Sequence, residues 1–268
     1  MDVTSVDSVV SSDQISQAVS DGLLDFAVVR AADLVNFNPG FGVYGLPFLF
    51  ADTQAVSAFQ ASSQAQQLLT SLADNNLVAP AYINNGFALY AGNSSILEPA
   101  DLRNTKIRSR ITTTEVDQAF YNALGISNIT SVVFSEISPA LFTGIIDGVD
   151  GNLQLYSALF QSEMAAQALD GITISNHFLD ARVLIINADR WDSLQTTTRE
   201  NLNSIVGEVN GEIEERDIAI LDQLEAAGEP VRQLTDEQRT SWIQAAEPVI
   251  LRFQDSIGTE IVTEALSL

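Results

Sequence analysis

Residues 98–110 read EPADLRNTKIRSR, a short segment that gathers Arg103, Lys106, Arg108 and Arg110. The chain of 268 residues has twelve Lys and Arg against thirty-five Asp and Glu, so four of its twelve cations fall here. Between Arg30 and Arg103 there is no basic residue at all. A solvated basic turn is the bland reading. The sharper one is an anion clamp, because a guanidinium offers a planar fork that matches a carboxylate with two parallel hydrogen bonds.

The sequence on either side alternates between strand and helix patterns, the signature of an α/β fold. Upstream, a helix is expected over 13–22, with Ile15, Ala18 and Val19 on one face, followed by a buried strand over 23–29. Gly40, Gly42 and Gly45 have the spacing of a dinucleotide fingerprint, but ten residues separate the strand from Gly40 and Pro47 lies just beyond Gly45. The fingerprint must turn directly from strand into helix, so this segment reads as an apolar loop. Asp52 caps a helix expected to run to Asp74, and LVAPAYI and FALYA follow as strands. KIR is a short strand, 112–124 a helix ended by Gly125, SVVF a strand, and Ser135 the cap of a short helix.

Further on, IIDGVDGN at 145–152 is a strand running into a polar turn with Asp147, Asp150 and Asn152. Such strand ends commonly face a crevice in α/β folds. A helix over 153–168, ITISNHF, and the central-strand pattern ARVLIIN come next. Beyond Trp191 the pattern is wholly helical: one long stripe through Leu202, Ile205, Val209, Ile213, Ile220 and Leu224, then helices over 235–253 and from Ser256 onward.

Composition limits what the molecule can do. Apolar residues make up 46 %, too many for disorder, and the formal net charge is −23. Nucleic acid and anionic membrane surfaces are therefore disfavoured, since both call for basic patches. Lys106 is the only lysine and there is no cysteine, which leaves no disulfide framework and no cysteine metal site. The first residues, MDVTSVDSVV, show no secretory signal pattern, so any export signal is expected to lie outside the sequence given.

GLPFLFADT, PADLRNTKIRSR, ALGISN, FSEISPALFTGIIDG and SNHF, in this order and spacing, resemble the solute-binding proteins of tripartite ATP-independent periplasmic (TRAP) transporters, the DctP-like family. The resemblance covers nearly the whole chain. It implies a two-lobed α/β clamshell of periplasmic-binding-protein type (type II-like) with long C-terminal helices. Lobe I would comprise 1–86 and 181–222, and lobe II 87–180 and 223–268. A small carboxylate would bind between the lobes of a monomeric, periplasmic protein, with no cofactor or metal, and closure would present the complex to TRAP membrane permease subunits. Residue by residue, Arg108 matches the family's carboxylate-binding arginine. Phe134 matches an aromatic lining the cleft, and His177 a position near the ligand in some members. Each has a structural counterpart: Phe134 as core, His177 as a satisfied buried histidine.

Departures from the family pattern carry their own expectations. The asparagine that usually touches the substrate carboxylate sits one position late, at Asn152, beside Asp150. A second arginine common in the family would fall at Ala88. With one clamp arginine, a monocarboxylate or a zwitterion is expected rather than a dicarboxylate, Asp150 meeting an ammonium or hydroxyl group. Members usually also carry a signal peptide, a strand and a helix before the segment matching 8–29. Lobe I is accordingly expected to lack its first strand and helix and to be less stable than an upstream-extended form. A hydrolase-type enzyme is disfavoured because neither G-x-S-x-G nor a paired-histidine motif occurs. The closest rival is a stand-alone sensory or scavenging carboxylate-binding protein.

Overall fold

The computed structural model describes residues 12–109, 114–126 and 129–268. Arg110, the expected helix start at Thr112, and Ser127 and Asn128 of ALGISN lie outside them.

In chain order the elements are α1 (Ser12–Ser20), β1 (Phe26–Arg30), α2 (Thr53–Gln60), α3 (Ser63–Ser71), β2 (Leu77–Val78), β3 (Tyr82–Phe87), β4 (Leu89–Gly92), β5 (Ile107–Ser109), α4 (Glu115–Ala123) and β6 (Ile129–Ser131). They continue with α5 (Ile137–Phe142), β7 (Gly148–Gly151), α6 (Leu153–Phe160), α7 (Glu163–Ala168), β8 (Ile172–Ile174), β9 (Leu179–Asn187) and α8 (Ala188–Ser193). Last come α9 (Thr196–Ala226), β10 (Val231–Gln233), α10 (Asp236–Ile257) and α11 (Thr259–Leu266).

Two sheets organise these elements. In the first, β9 is central, pairing antiparallel with β1 on one side and with β2 and β3 on the other. Its near-continuous apolar run is explained by burial on both faces, with side chains alternating between them. Ala181, Val183 and Ile185 enter the largest core, while Leu184 and Ile186 meet Val206 and Leu202 of α9. The second sheet runs β10-β8-β4-β7-β5-β6 and mixes parallel and antiparallel pairs. In β4 the same alternation sends Tyr90 into the largest core and Leu89 and Ala91 into a second one under α6 and α9.

Among the described residues, the chain passes from a strand of one sheet to a strand of the other three times. Ala88 separates β3 from β4, and residues 175–178 separate β8 from β9. These crossovers are bonded to each other: the Ala88 N–H donates to Phe178 O at 2.7 Å, and the His177 N–H to Ala88 O at 3.2 Å. The third crossing is α9, whose Val206 packs on the first sheet and whose Ile220 and Leu224 pack on the second. Its 31 residues span about 46 Å at 1.5 Å per residue.

Several expectations change in detail. The segment 52–74 is two α-helices and a 3₁₀ turn, because Ser62 caps a new helix by accepting from the Ala65 N–H. Likewise 153–168 divides at Ser162. The strand at SVVF ends at Ser131, and Phe134 starts a 3₁₀ turn. Residues 39–45 form a buried 3₁₀ turn in place of a nucleotide loop. A Cβ on Gly40 would meet Leu68 at 2.6 Å and one on Gly42 would meet Ile257 at 2.9 Å, so these glycines admit close packing. At the C-terminus, α11 packs on the 39–45 turn and on α2, and α10 joins that turn to α4. Trp242, Ala246, Val249 and Ile250 of α10 recur at helical spacing, so one face belongs to the largest core.

Candidate functional site

A cavity of about 650 Å3, part of it open to solvent, lies where the two sheets meet at the crossovers. Arg30, Ala32, Tyr44, Gly45 and the start of β9 line it from the first sheet's side, and Arg108, Asp117, Tyr121 and Asp150 from the second's. Ala88 and Phe178 of the crossovers complete the wall.

Arg108 is the middle residue of β5, paired in parallel with β7 so that Arg108 aligns with Val149. Arg108 and, on β7, Asp150 both line the cavity. Arg108 is only 9 % exposed, and its Nε–H donates to Val132 O at 3.1 Å, which fixes the guanidinium plane. A buried cation beside a cavity has already lost most of its hydration, so an incoming carboxylate gains attraction without a fresh desolvation cost on the protein side. The rest of the basic segment does other work. Lys106 Nζ donates to Gly144 O and lies 3.4 Å from Asp147, whose other oxygen accepts from the Lys106 N–H at 3.0 Å. That pair latches a loop, and Arg103 is exposed on a 3₁₀ turn.

Asp150 receives a hydrogen bond from the Tyr121 hydroxyl on Oδ2. Burial, reinforced by Asp150, pushes the Tyr121 phenol well above its ordinary range, so it remains a neutral donor. On the other side, His177 Nε2 lies 3.2 Å from Asp150 Oδ1 but outside hydrogen-bonding alignment. His177 is completely buried and not on the cavity wall. It stacks on Tyr90 with ring centroids 4.2 Å apart and planes at 1°, and its Nδ1 sits 2.8 Å from Ser175 Oγ. Its carbonyl accepts the Phe48 N–H at 2.8 Å, so the residue ties both crossovers to the loop before α2. Ser175, His177 and Asp150 have the residue types of a nucleophilic triad. Ser175, however, is fully buried and has no access to a substrate carbonyl.

Two expected site residues stand elsewhere. Phe134 is 61 % exposed and absent from the cavity wall, because the strand before it ends early and turns it outward. Asn152 caps α6: its Oδ1 accepts from the Leu155 N–H at 3.1 Å and its Nδ2 donates to Asn85 O at 3.2 Å. Asn152 does not line the cavity. Arg108 and Asp150 therefore line the cavity, His177 lies behind Asp150, and Phe134 and Asn152 lie outside.

Sequence reasoning also missed residues that line it. Arg30, at the end of β1, donates three hydrogen bonds to Asp33, between 2.7 and 3.2 Å, and lies 3.8 Å from Asp117. Burial alone would lower its pKa, but Asp33, Asp117 and Asp180 outweigh it and hold the proton above the usual arginine range. Asp117 and Tyr121 are four apart on α4, hence on one face. Asp180 is held by Arg182 through two bonds of 3.0 Å and accepts from Asn85 Nδ2 at 2.9 Å. Among the described residues, no group of three His, Cys, Asp or Glu is placed to hold a metal ion.

A two-sheet α/β protein with crossovers beside an arginine-bearing cavity is the architecture of a bacterial solute-binding protein. Residues 1–256 match the family described as bacterial extracellular solute-binding protein, family 7, and the chain belongs to that family. It is 27 % identical over 259 residues to the C4-dicarboxylate-binding periplasmic protein DctP of Vibrio cholerae, covering 95 % of this chain and 76 % of that one. A TRAP periplasmic solute-binding protein from Ochrobactrum anthropi, with a C-terminus bound in its ligand pocket, superposes with a TM-score of 0.83 at 25 % identity, over 96 % of this chain and 80 % of that one. One from Shewanella oneidensis with bound succinate gives 0.79 at 24 % identity, over 93 % and 81 %.

Proposed function

We propose that this protein captures a small organic carboxylate between its two lobes and presents the closed complex to a TRAP-type membrane permease. The observation that carries the reading is Arg108, a buried guanidinium on the wall of the cavity between the sheets. Family membership supports the transport role and a periplasmic setting. The reading involves no chemistry on the ligand: the protein binds, closes and releases as a monomer. A ligand that touches Arg108 and Asp150 from one lobe and Arg30 or Tyr44 from the other favours the closed arrangement only as far as it binds that state better. The net charge of −23 repels an anion at long range, but salt screens this beyond about 8 Å at physiological ionic strength, so local pairing decides.

A thermal-shift screen of the purified protein against hydroxy acids, keto acids, amino acids, sugar acids and dicarboxylates tests this directly. A ligand present at about a hundred times its dissociation constant adds roughly 2.7 kcal/mol of stability. The expected result is stabilisation by a small carboxylate. A folded protein that responds to none of them, or equally to the matching uncharged amides, would overturn the reading.

A further inference from the structure

Resting on the reading that two lobes close over a ligand, we propose that Arg30 and Asp117 form a latch across the cleft, a charged contact that draws the lobes together before any ligand is present. Arg30 ends β1, which pairs with β9 in the first sheet, and Asp117 lies on α4, which joins β5 to β6 in the second. Both line the cavity, from opposite sides. Arg30 Nη2 and Asp117 Oδ2 are 3.8 Å apart, with side chains 18 % and 16 % exposed, so solvent and salt screen them less than a surface pair. Opening the lobes would part these two groups, whereas Arg30 and Asp33 are three residues apart on one lobe and stay together.

Exposed ion pairs contribute little, in part because two long side chains must be ordered before they meet. Here the ordering is already done. Asp33 holds the Arg30 guanidinium through a fork of three hydrogen bonds, and Asp117 Oδ2 accepts the Thr114 N–H at 2.9 Å in the capping box that starts α4. Each lobe thus presents a pre-oriented charge of opposite sign, and closure adds their attraction without freezing either side chain. A contact of 3.8 Å is looser than a hydrogen bond, and Asp33 already offsets part of the Arg30 charge. The expected weight is therefore the upper end for exposed pairs, about a fivefold change in the ratio of closed to open molecules. Its sign is diagnostic. In a chain of net charge −23, removing an acidic group elsewhere eases repulsion within the molecule and favours the compact state, whereas losing the latch opens the cleft.

The chain has no cysteine, so Gln66→Cys on α3 and Gln161→Cys after α6, both exposed, take a pair of spin labels whose separation reports the lobes of the ligand-free protein. The labelled parent is expected to populate the separation of this structure, and Asp117→Asn to shift the ratio about fivefold toward longer ones. Asparagine keeps an acceptor for the Thr114 N–H, so the cap of α4 is retained. Glu115→Gln, exposed on the same turn, should not open the cleft, and Asp117→Asn should have no further effect in an Arg30→Gln background. Should Arg30→Gln not fold, the comparison of Asp117→Asn with Glu115→Gln decides alone. An Asp117→Asn distribution equal to that of the parent or of Glu115→Gln overturns the latch; if succinate, lactate or glucuronate still shortens the separation, the closing carboxylate receptor stands without it. A separation that neither the substitutions nor any of these acids moves overturns both.

Discussion

Replacing Arg108 with alanine removes the guanidinium that lines the cavity, together with its 3.1 Å hydrogen bond to Val132 O. The two losses act on different quantities. For binding, a carboxylate on a buried guanidinium makes charge-assisted hydrogen bonds, each worth about 1.5–3 kcal/mol, and breaking one partner of a buried pair costs about 3–5 kcal/mol. At about 1.4 kcal/mol per decade, affinity should fall by roughly 150- to 4000-fold. For folding, the Val132 carbonyl loses a donor, at a cost of about 1–3 kcal/mol. A domain with 5–15 kcal/mol of stability survives that. Isothermal titration with the best-binding carboxylate measures the first quantity, and circular dichroism with thermal melting the second. Arg108→Lys should fall between wild type and alanine, since it keeps the charge and loses the fork. A well-folded Arg108→Ala protein that binds within tenfold of wild type would refute the assignment of the clamp.

Other consequences follow from single contacts. Asp33→Asn removes the negative partner of Arg30 while keeping an oxygen acceptor, so succinate affinity should rise about tenfold or more as repulsion is relieved; unchanged or weaker succinate binding by titration would contradict the role given to Arg30. Burial raises the Asp217 carboxyl above its ordinary value of 3.8, outweighing the opposing effect of Arg216. A raised folded-state pKa means that its contribution is fully present below about 3.8 and is lost as pH rises through the folded value. Asp217→Asn should therefore melt at or above the wild-type temperature at pH 7, with the gap closing below about pH 4; a lower melting temperature at pH 7 would contradict this. Asn176 sits in the β8–β9 crossover at φ 49°, a left-handed position that asparagine tolerates and valine does not. Asn176→Val should cost about 1–2 kcal/mol, or about 2–8 °C, whereas Asn176→Gly should be nearly neutral by thermal melting.

The α/β alternation was legible because burial writes it into the sequence. ARVLIIN reads as a central strand since both faces of β9 are covered, and the stripe from Leu202 to Leu224 reads as a helix since α9 must satisfy two cores in turn. Helix breaks were harder: Ser62 and Ser162 interrupt apolar patterns that continue across them, and a lone serine is as compatible with a helix interior as with a cap. Arg108 was legible through charge scarcity, because a cation in so acidic a chain stands out. Arg30 carried the same signal but lay far from any motif. Phe134 stands off the cavity wall for a geometric reason, since a strand ending three residues early turns every later side chain. Asn152 caps α6, because an asparagine at a strand end serves a helix cap as readily as a ligand. Asp117 and Tyr121 of α4 could have been found by asking what flanks the apolar stripe of Val116 and Phe120.

The long helix α9 gives the hinge a mechanical character. One end is seated on the first sheet and the other on the second, while the Ala88 and His177 crossovers join the sheets at a separate place. A body suspended in this way resists twisting and sideways sliding, because either would drag the rod off one of its seats. In the closure proposed above, the motion these attachments leave open is rotation about the crossovers, with α9 bending between its two seats.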